Sequence, residues 1–130
     1  MPRRWNRRVP LCLLATFGLS IAACGGSSGG SSAGETRAAV GGAVTINARD
    51  PYNYDVKTIT AKPGPLTVTL VEKGSQEHTF TIADPKFELK VNAGKGEATG
   101  TVTLAAGTYK FKCSYDGHAA AGMTGNIVVG

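Results

Sequence analysis

The sequence contains few of the residues that bind metal ions or act as nucleophiles. Its 130 residues include three cysteines, two histidines and two methionines, one of which is Met1. Iron–sulfur clusters need about four thiolates, so the composition excludes them. The scarce residues are also unevenly placed, because a cysteine, a histidine and a methionine all fall within the stretch "CSYDGHAAAGM", residues 113–123.

The chain also lacks a basic stripe of the kind that binds nucleic acids. Its formal net charge is +5, but Arg3, Arg4, Arg7 and Arg8 all lie within the first eight residues. From Cys24 onward, ten lysines and arginines stand against nine acidic residues, so this part of the chain is nearly neutral. A nucleic acid is therefore excluded as a partner.

No apolar run is long enough for a membrane-spanning helix. The longest, "VPLCLLATFGLSIAA" at residues 9–23, has fifteen residues, whereas a spanning helix needs about 20. The run follows the positively charged start "MPRRWNRR". This pattern is typical of a secretory signal peptide, which we assign to residues 1–23.

Cys24 follows small residues in the motif "IAAC". This motif resembles a bacterial lipobox, in which cleavage precedes the cysteine and its thiol then carries lipid. It predicts that the exported chain is anchored in the cell envelope, on the outer face of the cytoplasmic membrane or on the periplasmic side of the outer membrane. The alternative is an ordinary signal peptide followed by an unmodified cysteine.

These assignments leave Cys113 without a cysteine partner. Cys12 is removed with the signal peptide and Cys24 is lipidated, so no disulfide can form within the mature chain. A lone thiol in an exported protein is open to oxidation unless something occupies it. We therefore expect Cys113 to be a metal ligand or a nucleophile.

The segment after Cys24 has the composition of a linker. Residues 25–42, "GGSSGGSSAGETRAAVGG", show no periodicity and contain few apolar residues. We predict a flexible linker over residues 24–42 and a single folded domain over residues 43–130.

From Ala43 onward the pattern is one of short β-strands. Runs rich in Val, Ile, Thr, Phe and Tyr alternate with turn residues, and no stretch carries a long helical period. Eight such strands in this length predict an all-β fold, a two-sheet β-sandwich. The predicted strands are Val44–Arg49, Val56–Lys62, Leu66–Glu72, His78–Ala83, Phe87–Asn92, Ala98–Leu104, Thr108–Cys113 and Asn126–Val129.

Strand alternation predicts that His78 and Cys113 both point into the core. Cys113 shares a strand face with Phe111, and His78 shares one with Phe80. If the two strands are antiparallel, both side chains reach the same end of the sandwich. The "DG" turn at Asp116–Gly117 can then bring His118 over that end.

Four scarce side chains can therefore meet at one point, namely Cys113, His78, His118 and Met123. A thiolate, two imidazoles and a weakly held thioether form the ligand set of a type 1 copper centre. The soft thiolate suits copper in either oxidation state, and a weak axial methionine favours the reduced form.

The segments "EHTFTI" and "GTYKFKCSYDGHAAAGMTGNIVV" resemble a plastocyanin-type cupredoxin. The Cys-x4-His-x4-Met loop is longer between Cys and His than in plastocyanin and is more similar to that of rusticyanin and auracyanin. The resemblance covers residues 43–130. It implies an eight-stranded Greek-key sandwich with one type 1 (blue) copper ion bound by His78, Cys113, His118 and Met123. It also implies electron shuttling, with no catalysis by the protein itself. Thr79 stands where the family often has Asn or Ser, whose backbone N–H bonds to the thiolate.

The resemblance also implies a docking surface for partners. The small residues Ala119, Ala120, Ala121 and Gly122 follow His118 and would form a flat apolar patch around its exposed edge. Redox proteins would dock there transiently, because electron-transfer interfaces are small and weak. We expect the protein to be a monomer.

Other functions remain open at this stage. Zinc fits poorly because methionine is not among its usual ligands, and a dinuclear copper site needs a second cysteine that residues 114–117 do not supply. A Cys113–His118 nucleophile pair would lack a residue that orients His118. A copper carrier or buffer without a redox partner, and a structural lipoprotein on an immunoglobulin-like sandwich, are the remaining alternatives.

Overall fold

The computed structural model describes residues 34–94 and 96–130. Within these ranges the chain forms ten β-strands and no helix. The described residues accordingly include no helix that could cross a membrane. The strands are β1 (Thr36–Ala38), β2 (Ala43–Arg49), β3 (Asn53–Tyr54), β4 (Thr58–Ala61), β5 (Gly64–Glu72), β6 (His78–Ile82), β7 (Phe87–Val91), β8 (Glu97–Leu104), β9 (Gly107–Lys112) and β10 (Thr124–Val129).

The strands form two sheets, and the predicted all-β sandwich is confirmed. One sheet has six strands in the order β1-β4-β10-β9-β6-β7, and the other has four in the order β3-β2-β5-β8. Strand β4 runs parallel to both β1 and β10, and β2 runs parallel to β5. The remaining pairs are antiparallel, which leaves the parallel pairs to be joined by crossovers between the sheets.

Alternating apolar residues from both sheets fill the core. On β5, the side chains of Leu66, Val68 and Leu70 are buried, whereas Thr67 and Thr69 are partly exposed. The inward residues contact their counterparts on the other sheet, and each large apolar side chain stabilises the fold by roughly 1.5–3 kcal/mol on burial.

Three aromatic rings pack together in this core. The Phe80 and Phe111 rings stack with centroids 4.7 Å apart, and the Tyr54 ring meets Phe111 edge-on at 5.5 Å. The Tyr54 hydroxyl donates a hydrogen bond to the carbonyl oxygen of Thr79. Burial raises the pKa of Tyr54, so this hydroxyl keeps its proton. The rings thereby connect strands β3, β6 and β9.

All eight predicted strands are present, with ends within two residues of their predicted positions. Strands β1 and β3 were not predicted. The linker assignment is wrong for residues 36–40, because Thr36–Ala38 form β1 and Val40 makes a bridge to Ala43. The sandwich therefore begins before the predicted boundary at Ala43.

Contacts distant in sequence hold β1 in place. The Glu35 carbonyl oxygen accepts hydrogen bonds from the backbone N–H groups of Lys57 and Thr58. The Arg37 guanidinium lies 3.1 Å from the Asp55 carboxylate and donates to the Thr45 carbonyl oxygen at 2.7 Å. These partners explain why a three-residue strand forms in a segment of low β-propensity.

Strands β6 and β9 run antiparallel, with Thr81 opposite Lys112 and Ile82 opposite Phe111. The beginning of β6 and the end of β9 therefore lie at the same end of the sandwich. The predicted meeting of His78 and Cys113 depended on this antiparallel arrangement, which the structure shows.

Candidate metal centre

His78 begins β6 and is fully buried. Neither of its ring nitrogens has a hydrogen-bond partner among the described residues. Burial lowers the pKa of His78, as does the nearby His118, while Asp50 opposes the shift. The imidazole is therefore held neutral, which is the form that binds metal ions.

Cys113 directly follows β9, and only 1% of its surface is exposed. Its thiol is free. The sulfur accepts a hydrogen bond from the Thr79 backbone N–H at 3.4 Å, and the Thr79 hydroxyl lies 3.8 Å away. The backbone bond forms even though Thr79 replaces the more usual Asn or Ser, since it needs no particular side chain.

The segment between Cys113 and Met123 folds back on itself as a loop closed by backbone hydrogen bonds. The Cys113 N–H donates to the Met123 carbonyl oxygen, and the Met123 N–H donates to the His118 carbonyl oxygen, both at 3.0 Å. Gly117 and Gly122 have φ angles of 81° and 106°, which residues with side chains rarely adopt. We call this segment the ligand loop.

The ligand loop brings the predicted ligands together. The Cys113 sulfur is 3.4 Å from Nδ1 of His118. Ligand atoms of His78, Cys113 and His118 all lie within 4.8 Å of one another. Met123 is fully buried at the end of the loop, and its backbone is hydrogen-bonded to Cys113 and His118. The four side chains are thus arranged as in a type 1 copper site.

The chemistry of these donors fits a copper ion. A buried cysteine sulfur and two imidazoles make a three-ligand set, and methionine supplies a soft fourth donor. The unpartnered imidazole of His78 provides independent support, because buried polar atoms normally have a partner and a metal ion would supply one for one of its nitrogens.

A sequence model of the cupredoxin-like domain matches residues 15–129. The chain belongs to the cupredoxin-like domain family. No curated protein matches the chain significantly by sequence.

Solved cupredoxin structures share the fold. The chain is similar to sodium dithionite-reduced auracyanin from the photosynthetic bacterium Roseiflexus castenholzii, with 25% identity and a TM-score of 0.64 over 71% of this chain and 98% of that one. Reduced rusticyanin gives 24% identity and a TM-score of 0.59 over 72% of this chain and 83% of that one. Auracyanin A, a "blue" copper protein from Chloroflexus aurantiacus, gives 20% identity and a TM-score of 0.55 over 68% and 99%.

In this cupredoxin, a network of hydroxyl groups surrounds the thiol. The Thr79 hydroxyl accepts a hydrogen bond from the Ser114 N–H at 2.7 Å and lies 2.9 Å from the Ser114 hydroxyl. The Thr81 and Ser114 hydroxyls both donate to the Glu88 carboxylate, at 2.9 and 3.2 Å. These contacts bury Thr79, although its alternation along β6 directs it away from the core.

The structure adds residues around the histidines that sequence reasoning missed. The Tyr52 ring lies against His118 with centroids 4.2 Å apart. Glu72 and Asp50 lie near His78, with carboxylate oxygens 4.0 and 3.9 Å from its Nε2. Burial raises the pKa of Glu72, as does the charge of Asp50, against hydrogen bonds from backbone N–H groups. The period-two pattern of β5 could have identified Glu72 as inward-facing.

The small-residue patch Ala119–Gly122 lies at the surface next to His118. Ala119 and His118 are partly exposed, and Ala120, Ala121 and Gly122 are exposed. The Lys57 ammonium group donates a hydrogen bond to the Gly122 carbonyl oxygen. The patch is thus exposed and is connected to the residue that directly precedes β4. Cys24 and the signal peptide lie outside the described residues.

Proposed function

We propose that this protein binds one copper ion in a type 1 centre, carries single electrons between partner proteins and catalyses no reaction itself. The observation that carries the proposal is the cluster of buried His78, buried Cys113 and partly exposed His118, with its ligand atoms within 4.8 Å of one another. Family membership supports it, as does the similarity to auracyanin A, a "blue" copper protein.

A bound copper ion would supply a centre that accepts and returns one electron. The protein's part is to hold the donors in one arrangement for both oxidation states. The Cys113 thiolate is fixed by the Thr79 N–H, and the ligand loop is closed by its bonds between Cys113, His118 and Met123. A fixed arrangement limits the rearrangement that accompanies electron transfer.

The same burial argues against a nucleophilic role for Cys113. Its sulfur is enclosed by Thr79 and His118 and is almost fully shielded from solvent. A substrate would have to displace these groups to reach the thiol. We therefore propose a carrier of electrons and not an enzyme.

We further propose that redox partners dock transiently on the patch Ala119–Gly122. The partly exposed His118 imidazole lies beside this patch and is in contact with the buried sulfur, so it offers a short route between the centre and a docked partner. The patch is small, which suits weak and rapidly exchanging contacts.

The proposed location follows from the sequence. The signal peptide at residues 1–23 and the lipobox-like motif before Cys24 support export and attachment to a membrane through lipid. The lipid anchor would keep the electron carrier in the cell envelope, near membrane-bound partners.

The test is the visible spectrum of the purified full chain with Cu(II). We expect an intense blue colour from the copper–thiolate bond and its loss in Cys113→Ser, whereas Cys24→Ser should retain it. The bound copper should be reduced and reoxidised reversibly and should exchange electrons with a cytochrome. A colourless wild-type protein under oxidising conditions would refute the copper assignment. Copper that leaves as an ion without electron exchange would instead indicate a carrier or buffer.

A further inference from the structure

A second polar cluster shares His78 with the metal centre. It consists of Asp50, Glu72 and His78, whose ligand atoms also lie within 4.8 Å of one another. The Nε2 atom of His78 is 4.0 Å from Oε2 of Glu72 and 3.9 Å from Oδ1 of Asp50. The copper ligand set uses neither carboxylate.

Glu72 is held in this position by the fold. It ends β5 in line with Leu70, and its side chain is completely buried. The Gly74 N–H donates to its Oε1, whereas its Oε2 has no hydrogen-bond partner among the described residues. A buried carboxylate oxygen without a partner has lost its hydration without compensation, which is unfavourable. The imidazole of His78, which also lacks partners, faces this oxygen.

Asp50 is fixed beside Glu72 by Ser75. The backbone N–H and the hydroxyl of Ser75 both donate to Oδ2 of Asp50, at 2.8 and 2.7 Å. Gly74 makes room for the carboxylate, because a Cβ atom there would overlap Asp50. This arrangement leaves Oδ1 of Asp50 directed at the same nitrogen of His78.

We propose that Glu72 is a positioning residue. When the metal binds, a small shift of the imidazole shortens its 4.0 Å separation from Oε2 of Glu72, which then accepts a hydrogen bond from Nε2–H of His78 and leaves Nδ1 to bind the metal. Histidines that bind metals usually donate their second ring N–H to a carboxylate or a carbonyl group, which fixes the tautomer and the ring orientation. Asp50 adds a second acceptor at the edge of the same pocket. The inference rests on the proposed copper site, since it concerns how that site is assembled.

The alternative use of this cluster is a second metal site. It would require both nitrogens of one imidazole to bind metal ions, and the ring would then have to lose both of its exchangeable protons. A single hydrogen bond requires no such loss, so the positioning role is the one that the geometry favours.

The test uses Glu72→Gln in the full chain. The substitution keeps the shape and packing of the side chain. If the amide oxygen keeps the bond from the Gly74 N–H, the amide NH2 group faces Nε2 of His78, and two donors then oppose each other. The imidazole can remove this conflict by moving its proton to Nδ1, the nitrogen that the metal needs.

Nitrogen-15 NMR of the metal-free chain reports this tautomer directly. We expect His78 to carry its proton on Nε2 in the wild type and on Nδ1 in Glu72→Gln. Affinity for Cu(I), measured by competition with a chelator, should fall by about 10–100-fold. The matched control is Glu97→Gln, which removes the same charge from an exposed position in the same sheet and should change neither result.

Three results would overturn the proposal. The first is a proton on Nδ1 of His78 in the metal-free wild type, which needs no variant to measure. The second is a Glu72→Gln protein with unchanged tautomer and unchanged Cu(I) affinity. The third is a second metal ion, bound by the wild type and lost in Glu72→Gln. A wild type that binds no copper would contradict the proposed function, and the tautomer comparison alone would then decide the role of Glu72.

Discussion

Gly125 on β10 packs directly against Phe111, and we predict that Gly125→Ala strongly destabilises the protein. Gly125 pairs with Phe111 on β9. A Cβ atom at this position would lie 2.6 Å from the Lys57 carbonyl oxygen and 2.7 Å from Cε1 of Phe111. Carbon atoms in favourable contact are about 3.5–4.0 Å apart, so both neighbours would have to move.

Neither neighbour can move easily. The Lys57 carbonyl oxygen accepts the Asn126 N–H at 2.9 Å, and the Phe111 ring is enclosed by Phe80 and Tyr54. Overpacking of this kind costs about 1–3 kcal/mol and occasionally more. We expect a loss of about 3 kcal/mol. At about 4–8 °C per kcal/mol for a domain of this size, the Tm should fall by roughly 12–24 °C.

Thermal unfolding of the metal-free chain, followed by circular dichroism, provides the assay. Two glycine variants serve as graded controls. In Gly100→Ala the atoms nearest to the new Cβ are side-chain carbons of Leu89 and Phe87, at 3.0–3.2 Å, so a smaller loss is expected. In Gly130→Ala it meets nothing within 4 Å, so no loss is expected. A Gly125→Ala protein as stable as Gly130→Ala would refute the reasoning.

Three further predictions concern the thioether, the thiolate and an acidic residue away from the centre. Met123→Leu should retain copper and raise its reduction potential, because a weak donor to Cu(II) is lost; loss of copper in dialysis would show that Met123 is a principal ligand. Thr79→Val should retain the colour and lower the potential measured by voltammetry, because a hydroxyl near the sulfur is lost while the backbone N–H remains; an unchanged potential would contradict this. Burial of Asp55 opposes its ionisation, but hydrogen bonds from Asn47 and Arg37 outweigh burial and hold its pKa below the ordinary value of 3.8. The stabilisation by Asp55 is therefore complete above 3.8 and is lost as the pH falls through the lower pKa. Asp55→Asn should therefore make the free energy of unfolding, measured by chemical denaturation, less dependent on pH in this acidic range. The same pH dependence in the variant and the wild type would contradict the assignment.

The ligand residues could be predicted from the sequence because strand alternation is a local property. His78 shares a face with Phe80, and Cys113 shares one with Phe111, so their inward direction follows from period two alone. The structure confirms both directions, and it confirms that β6 and β9 are antiparallel. The short distance between Cys113 and His118 follows from the four residues of turn-forming sequence between them.

The same alternation indicates that Glu72 faces inward, in line with Leu66, Val68 and Leu70. A carboxylate at the end of a strand is ordinarily solvated, and no sequence pattern indicates that this one is covered. It is covered because Asp50 and the turn at Gly74 pack over it. That packing joins segments more than twenty residues apart, so it could not be predicted locally.

Strands β1 and β3 were missed for a related reason. Each is very short, and each exists because of its partner: β1 pairs with β4, and β3 pairs with the end of β2. Tyr52, just before β3, is placed against His118 by this pairing. The β-propensity of the residues has little influence on whether a strand of two or three residues forms, and tertiary contacts determine it.

The position of the aromatic cluster gives a physical reason for the centre's location at this end of the sandwich. Phe80 and Phe111 each lie two residues from a predicted ligand on the same strand face, so their stacked rings form the layer directly beneath the donors. The Tyr54 hydroxyl binds the carbonyl oxygen of Thr79, the residue whose N–H binds the Cys113 sulfur. The peptide groups that hold the thiolate are thus fixed by the hydrophobic core itself. Ligand atoms fixed by this layer can keep one arrangement in both oxidation states of a bound copper ion, which is the property that an electron carrier requires.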